Sequence, residues 1–238
     1  TVFAENQKLF RSGRTILIPE LQSHHHGLLP ERAWNYGVSY LKGFQIGSIP
    51  LNFNLDLFRT SFVNQVVVDW ETLGQVSFYN LDGDSYANSL QLGLDARLFR
   101  LIDARFSCKF YDVQLDYVAA KKQKPLQPKQ RYFLNLGYVG DYWRADATYH
   151  YTGSQRIPAT IQHPSGFESN AFGLMNAQIT YISKRNFEIY MGGENLTNYK
   201  QVQPILSGDQ PFSSSFDSSL VYAPVFGRMT YLGLRYNL

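Results

Sequence analysis

Three consecutive histidines, His24, His25 and His26, are the first residues in the chain with obvious chemical capacity. Imidazole is a common ligand for zinc, copper and haem iron. Adjacent residues of an extended segment point to opposite sides, so two of the three can share an ion; the plainer reading is a polar loop. A second group is basic: Lys121, Lys122, Lys124 and Lys129 sit in one stretch with Pro125 and Pro128. Such a stretch suits an anionic surface such as lipopolysaccharide, or simply a solvated loop. A third group, Asp103, Arg105, Arg144, Asp146, Glu188 and Glu194, alternates with apolar residues and would line a polar wall. His150 and Asp146 lie four apart, but no serine or cysteine nucleophile accompanies them in a recognisable motif, so no catalytic residue is assigned and an enzyme is not expected. No cofactor site is read. The single cysteine, Cys108, stands between Phe106 and Phe110 and reads as a small apolar residue. Asn195-Leu196-Thr197 fits a glycosylation acceptor only by chance.

The elements that carry these residues show a period of two. Ile102, Ala104, Phe106, Cys108 and Phe110 oppose Asp103, Arg105, Ser107, Lys109 and Tyr111. Trp143, Ala145, Ala147, Tyr149 and Tyr151 oppose Arg144, Asp146, Thr148 and His150. Similar alternation covers 33–43, 50–60, 87–99, 131–139, 174–181, 187–194 and 226–238, giving nine expected strands. Most are longer than the 5–6 residues usual in soluble proteins. About ten tilted residues cross the roughly 25 Å apolar band of a membrane barrel.

Short connections near 42–49, 100, 140–141 and 183–185 alternate with long ones at 61–86, 112–130, 152–170 and 195–225. That sorting matches short periplasmic turns and long extracellular loops. Aromatics make up 16% of the chain, which excludes a disordered polymer, and no apolar run is long enough for a membrane helix. Tyr132 and Tyr138 bracket Leu134 and Leu136, as interfacial girdles would. A net charge of +3 without a dense basic patch argues against nucleic acid as a partner.

Five stretches carry a family resemblance: LPERAWNYG (29–37), the segment 52–70 ending NQVVVDW, YNLDGDSYANSLQ (79–91), GGENLTNY (192–199) and the terminal GRMTYLGLRYNL (227–238). In this order they resemble the C-terminal barrel of TonB-dependent outer-membrane receptors. The resemblance implies an all-β fold: a partial transmembrane antiparallel β-barrel, residues 1–238 supplying about nine C-terminal strands of a 22-stranded barrel, with the plug domain outside this chain. It implies energised uptake of a scarce solute, such as a siderophore, haem, vitamin, oligosaccharide or peptide. The implied partners are the N-terminal barrel and plug part, on the same or a separate chain, the TonB-ExbB-ExbD complex acting through it, lipid and lipopolysaccharide, and, in some branches, a surface lipoprotein. Gly233, Tyr236 and Leu238 resemble the family's assembly signal, with Leu238 where the family usually ends in Phe. A passive porin or an adhesive surface barrel is the alternative, and a soluble sandwich would instead bury its apolar faces on each other.

Overall fold

A computed structural model describes residues 2–18, 27–81, 83–117, 120–160, 163–183 and 187–236. In chain order the elements are α1 (Val2–Glu5), a 3-10 turn (Gln7–Arg11), β1 (Thr15–Leu17), β2 (Ala33–Ile46), β3 (Ile49–Phe62), β4 (Val66–Asp69) and β5 (Gln75–Asn80). Next come β6 (Tyr86–Leu98), β7 (Ile102–Asp116), β8 (Lys121–Gln123), β9 (Gln130–Val139), β10 (Trp143–Thr152) and β11 (Arg156–Ile157). The chain continues through β12 (Phe167–Glu168), β13 (Phe172–Ile182), β14 (Phe187–Glu194) and β15 (Met229–Tyr236).

Nine of these strands, β2, β3, β6, β7, β9, β10, β13, β14 and β15, form one antiparallel meander in sequence order. They coincide with the nine expected from alternation. The short turn expected within 42–49 narrows to Gly47-Ser48, because the β2–β3 ladder continues to Ile46 opposite Ile49. Gly47 takes the positive φ that a two-residue hairpin turn requires. Similarly, β7 runs on to Asp116, so the loop expected from residue 112 starts later. Among the described residues the sheet does not close on itself; β2 and β15 are its edges.

Antiparallel register aligns the apolar positions into continuous rows. One row crosses eight strands as Phe44, Leu51, Ala96, Ala104, Leu136, Ala147, Ala177 and Gly193. Another runs Leu55, Leu92, Cys108, Tyr132 and Tyr151. Large side chains on this face are left uncovered by protein: Leu57, Phe106, Leu134, Leu136, Met191, Leu232 and Leu234 are all exposed, and of these rows only the small Cys108 and Gly193 are buried. Aromatic contacts flank the apolar band. Tyr132 meets Tyr151 at 5.5 Å and Phe110 at 6.0 Å toward the long loops, and Trp143 meets Tyr181 at 5.1 Å toward the short turns. A wide apolar sheet face with ring girdles at both ends is stable only against hydrocarbon, so lipid is its solvent. The opposite face carries the polar alternates, paired across strands.

The β6–β7 turn is closed by the Leu101 N–H on the Leu98 carbonyl at 3.2 Å, with Phe99 and Arg100 both at positive φ. Left-handed backbone costs roughly 1–2 kcal/mol at each non-glycine residue. Replacing Phe99-Arg100 with Asn-Gly is therefore expected to raise stability by about 1–2 kcal/mol. Leu92→Arg, at the middle of β6 on the lipid face, is expected to cost about 2–4 kcal/mol, whereas Gln91→Arg on the polar face costs little. Urea titration of the intact receptor in vesicles, read by heat-modifiable gel mobility, checks both.

Candidate site: a loop cap and a polar cleft

Most of the buried core lies outside the barrel wall. Apart from Cys108, Leu115 and Phe172, the buried apolar side chains belong to the long connections and the leading segment. Leu9 from the 3-10 turn, Trp70, Val76 and Phe78 from the β3–β6 connection, Ile157 from the β10–β13 connection and Leu220 from the β14–β15 connection form one cluster. Leu126 of the β7–β9 connection packs against it. All four long loops and the leading segment therefore share a core. A small sheet, β1 parallel to β5 and β5 antiparallel to β4, gives it a floor.

Two ionic clasps hold this cap. In the first, the Arg156 guanidinium donates two hydrogen bonds to the Glu71 carboxylate, 2.6 and 2.8 Å, and Nε donates to the Gln123 carbonyl at 2.6 Å. Lys122 adds a third donor to Glu71 at 3.1 Å. One arginine thus ties three loops together. Burial works against the charged Glu71, but the hydrogen bonds and charges of Arg156 and Lys122 outweigh it and hold its carboxyl below the usual range. In the second, Arg14 Nε and Nη2 donate to Asp217 Oδ2 at 3.1 and 2.8 Å, with both side chains almost fully buried. Asp217 Oδ1 accepts from the Ser219 N–H and hydroxyl, which fills the carboxylate. Arg14 and Lys8 both lie over the Trp70 ring, at 5.5 and 5.6 Å. Beside Asp69, burial and its hydrogen bond to that carboxylate push the Tyr79 hydroxyl well above its ordinary range.

The GGENLTNY stretch has a structural explanation. Asn195 is buried at positive φ, a conformation asparagine tolerates. Its amide nitrogen donates to the carbonyls of Tyr199 (2.8 Å) and Phe226 (3.1 Å), and its amide oxygen accepts from the Tyr199 N–H and the Thr197 hydroxyl, both at 3.1 Å. One side chain thereby joins the exit from β14 to the approach to β15.

On the polar face, near the short turns, a cleft of about 760 Å³ collects Asp103, Arg105, Arg144, Asp146 and Glu188. The sequence missed four partners: Asp95, Arg97, Asn135 and Arg235. Arg97 pairs with Asp103 (2.6 Å), Arg105 with Asp95 (2.8 Å), and Arg235 with Glu188 (3.2 Å), while Asn135 donates to Asp146 (2.8 Å). Arg144 reaches Glu188 at 3.9 Å. Glu194 is not among the residues lining this cleft; it ends β14 at the long-loop side, opposite Met229. His24, His25 and His26 lie outside the described residues, and among those described no cluster of metal-ligating side chains occurs.

The loop lysines do not act as one patch. Lys122 belongs to the Glu71 clasp, Lys129 pairs with Glu168 at 3.2 Å, and Lys121 lies over the Tyr86 ring. Gly233 is opposite Tyr190, whose ring a β-carbon there would strike, while Tyr236 pairs with Phe187 on the apolar face. Leu238 lies outside the described residues.

A family profile described as "TonB dependent receptor-like, beta-barrel" matches residues 22–196. No curated protein matches the chain by sequence. Among solved structures, the siderophore receptor PiuA from Acinetobacter baumannii is similar at 16% identity and a TM-score of 0.59, over 87% of this chain and 28% of that one. The ferric-catecholate import receptor Fiu from E. coli K12 is similar at 16% identity and 0.61, over 92% and 30%. The ferric enterobactin receptor PfeA of Pseudomonas aeruginosa, as an R480A mutant in complex with enterobactin, is similar at 14% identity and 0.62, over 88% and 32%. The chain spans roughly three tenths of the length of each.

Because Glu71 is more acidic folded than unfolded, its clasp stabilises the cap fully above the ordinary carboxyl pKa, about 4.3. That contribution is lost as pH falls through the lower folded value. Glu71→Gln is expected to loosen the loops at pH 7 by about 3 kcal/mol, since Arg156 loses its counter-charge. Hydrogen exchange of residues 63–81 and 153–160 in the intact receptor checks this: wild type protected at pH 7 and opening only in acid, the variant open at both. Asn195→Ala is expected to cost about 2–3 kcal/mol, through the two carbonyls left without their donor. The same urea titration measures it.

Proposed function

The chain belongs to the TonB-dependent receptor β-barrel family, and on that premise we propose that it supplies wall and extracellular cap to an outer-membrane receptor for energised uptake of a scarce solute. The observation that carries this reading is the shared core of the long loops. Loops that merely solubilise a barrel have no need of buried ion pairs and a common apolar cluster. Loops that must present a fixed binding surface to a rare ligand do, because preorganisation removes the ordering cost from each binding event.

The polar cleft fits the second requirement of such a receptor. Its arginines and carboxylates are balanced and cross-paired, so a plug packed there meets a wall able to exchange ion pairs without net repulsion. Asp103, Arg105, Arg144, Asp146 and Glu188 form this lumen wall, and Glu194 lies nearer the loops. The mechanism is binding at the cap followed by gating through a plug pulled by the TonB-ExbB-ExbD complex; no covalent chemistry is involved, and the chain is not an enzyme. The solved structures to which it is similar include a ferric-catecholate import receptor and a copper transporter, which makes a metal chelate the leading solute. His24, His25 and His26, which precede β2 in the sequence, are the imidazoles proposed to contact a metal-bearing ligand. Gly233, Tyr236 and Leu238 serve as the assembly signal, and lipopolysaccharide is the surrounding lipid.

Cells carrying the complete receptor as their sole candidate route should accumulate radiolabelled ferric enterobactin, or another chelate from a panel with copper and haem, and should stop when the proton-motive force is collapsed or TonB is deleted. Uptake that persists without either would identify a passive pore. Binding to cells without any uptake would identify an adhesive or structural barrel.

A further inference from the structure

A small cavity of about 210 Å³ opens in the loop cap, where the leading segment meets the β4–β5 turn and the β10–β13 and β14–β15 connections. Its rim is exposed and comes from Gly13, Leu73, Gly74 and Ser214. Its floor is buried and holds Ala159, Thr160 and the Arg14–Asp217 ion pair. The Arg14 side chain is only 5% exposed. Its Nε and Nη2 are spent on Asp217, but Nη1 is buried with no hydrogen-bond partner. A charged donor left in that state is costly, and folded proteins rarely keep one without a use.

The lining of the cavity is rich in donors and short of acceptors. The Asp217 carboxylate already accepts from Arg14, from the Ser219 N–H and from the Ser219 hydroxyl. The carbonyls of Gly74, Thr160, Ser207 and Phe216 accept from the N–H groups of Thr15, His163, Gln210 and Gly13. Donors remain: besides Nη1, the hydroxyls of Ser207 and Ser214 make no hydrogen bond among the described residues. Charge points the same way. Arg14 and Lys8 lie over the same Trp70 ring, and among the described residues the one ion pair either of them makes is Arg14–Asp217. This corner of the cap therefore carries one positive charge in excess.

We propose that this cavity binds a small carboxylate, which accepts from Arg14 Nη1 at the floor and from the Ser207 and Ser214 hydroxyls nearer the rim, and that its binding fastens the cap. One surplus positive charge and otherwise neutral donors suit a singly charged carboxylate better than a phosphate with two charges. The volume sets the size: it falls below the roughly 300–1,000 Å³ of pockets for larger ligands, so a short hydroxy acid fits and a bulky chelate does not. The consequence for the cap follows from the lining, because a guest there touches segments that are distant in sequence and stabilises only the arrangement in which they meet. The site is separate from the polar cleft of the wall and independent of which solute is carried.

The complete receptor in detergent is to be titrated by calorimetry with acetate, lactate and citrate, with lactamide as the neutral counterpart of lactate, and with inorganic phosphate. Hydrogen exchange of residues 72–75 and 206–217 is then followed with and without the tightest binder. At ten times its dissociation constant, that carboxylate is expected to slow exchange in both stretches about tenfold, while lactamide leaves it unchanged. Arg14→Lys, which can keep the ion pair with Asp217 but has no second amino group, is expected to weaken binding at least tenfold. Ala159→Leu, which fills the floor and alters no charge, is expected to abolish binding and decides the matter should Arg14→Lys loosen the cap. Lys124→Ala is expected to bind as wild type does. Exchange of the same stretches without any ligand verifies that each variant keeps its cap. No binding by any of the three acids, equal protection by lactamide, tighter binding of phosphate, or unchanged binding in Ala159→Leu would each overturn the proposal.

Discussion

A backbone that enters hydrocarbon must pair every N–H and C=O with a neighbouring strand, because water is not there to take their place. The rest of this molecule follows from that demand. It makes the strands long, forces antiparallel neighbours to follow one another in sequence, and confines irregular backbone to the two ends of the sheet. It also means that β2 and β15, the edges of the nine-stranded meander, call for further strands wherever they lie in lipid. The side chains then have only two environments to choose between, and the alternation of Phe106 with Arg105, or Ala145 with Arg144, is that choice written residue by residue.

This arrangement inverts the usual relation between core and surface. In the wall, large apolar side chains such as Leu232 and Leu234 are exposed, since lipid is their solvent. The protein's own apolar core is assembled beyond the wall, where water returns and hydrophobic burial regains its driving force. Leu9, Val76, Phe78 and Ile157 come from three separate parts of the chain and cover one another there. The buried pairs Arg14–Asp217 and Arg156–Glu71 add direction to this cluster: guanidinium forks accept few geometries, so they set how the loops dock as well as whether they do. The wall is specified by periodic pattern and the cap by individual contacts.

That division explains how much could be read in advance. The nine strands, their faces and the sorting of short turns from long loops were legible, because period two is a local property visible in ten residues. The family resemblance was legible for a related reason: its stretches are contiguous in sequence, and within one of them Asn195 makes three of its side-chain hydrogen bonds to residues no more than four positions away. Asp103, Arg105, Arg144, Asp146 and Glu188 line one cleft on the polar face. Glu194 does not line it, because alternation assigns a face but not a height, and the register puts it at the far end of β14.

The long loops were legible only as loops. Glu71 and Arg156 are 85 residues apart and Arg14 and Asp217 are 203 apart; neither pair leaves a local signature. The four lysines share one short stretch of sequence, yet the folded cap consigns Lys122 to a clasp and Lys129 to an ion pair and brings Lys121 over the ring of Tyr86, 35 positions earlier in the chain. The sequence by itself determined the wall, because a strand's two faces meet two solvents and the pattern must obey them. Only the tertiary structure decided the cap and the pairing of its charges, because contacts between distant segments are chosen by how the loops fill space together.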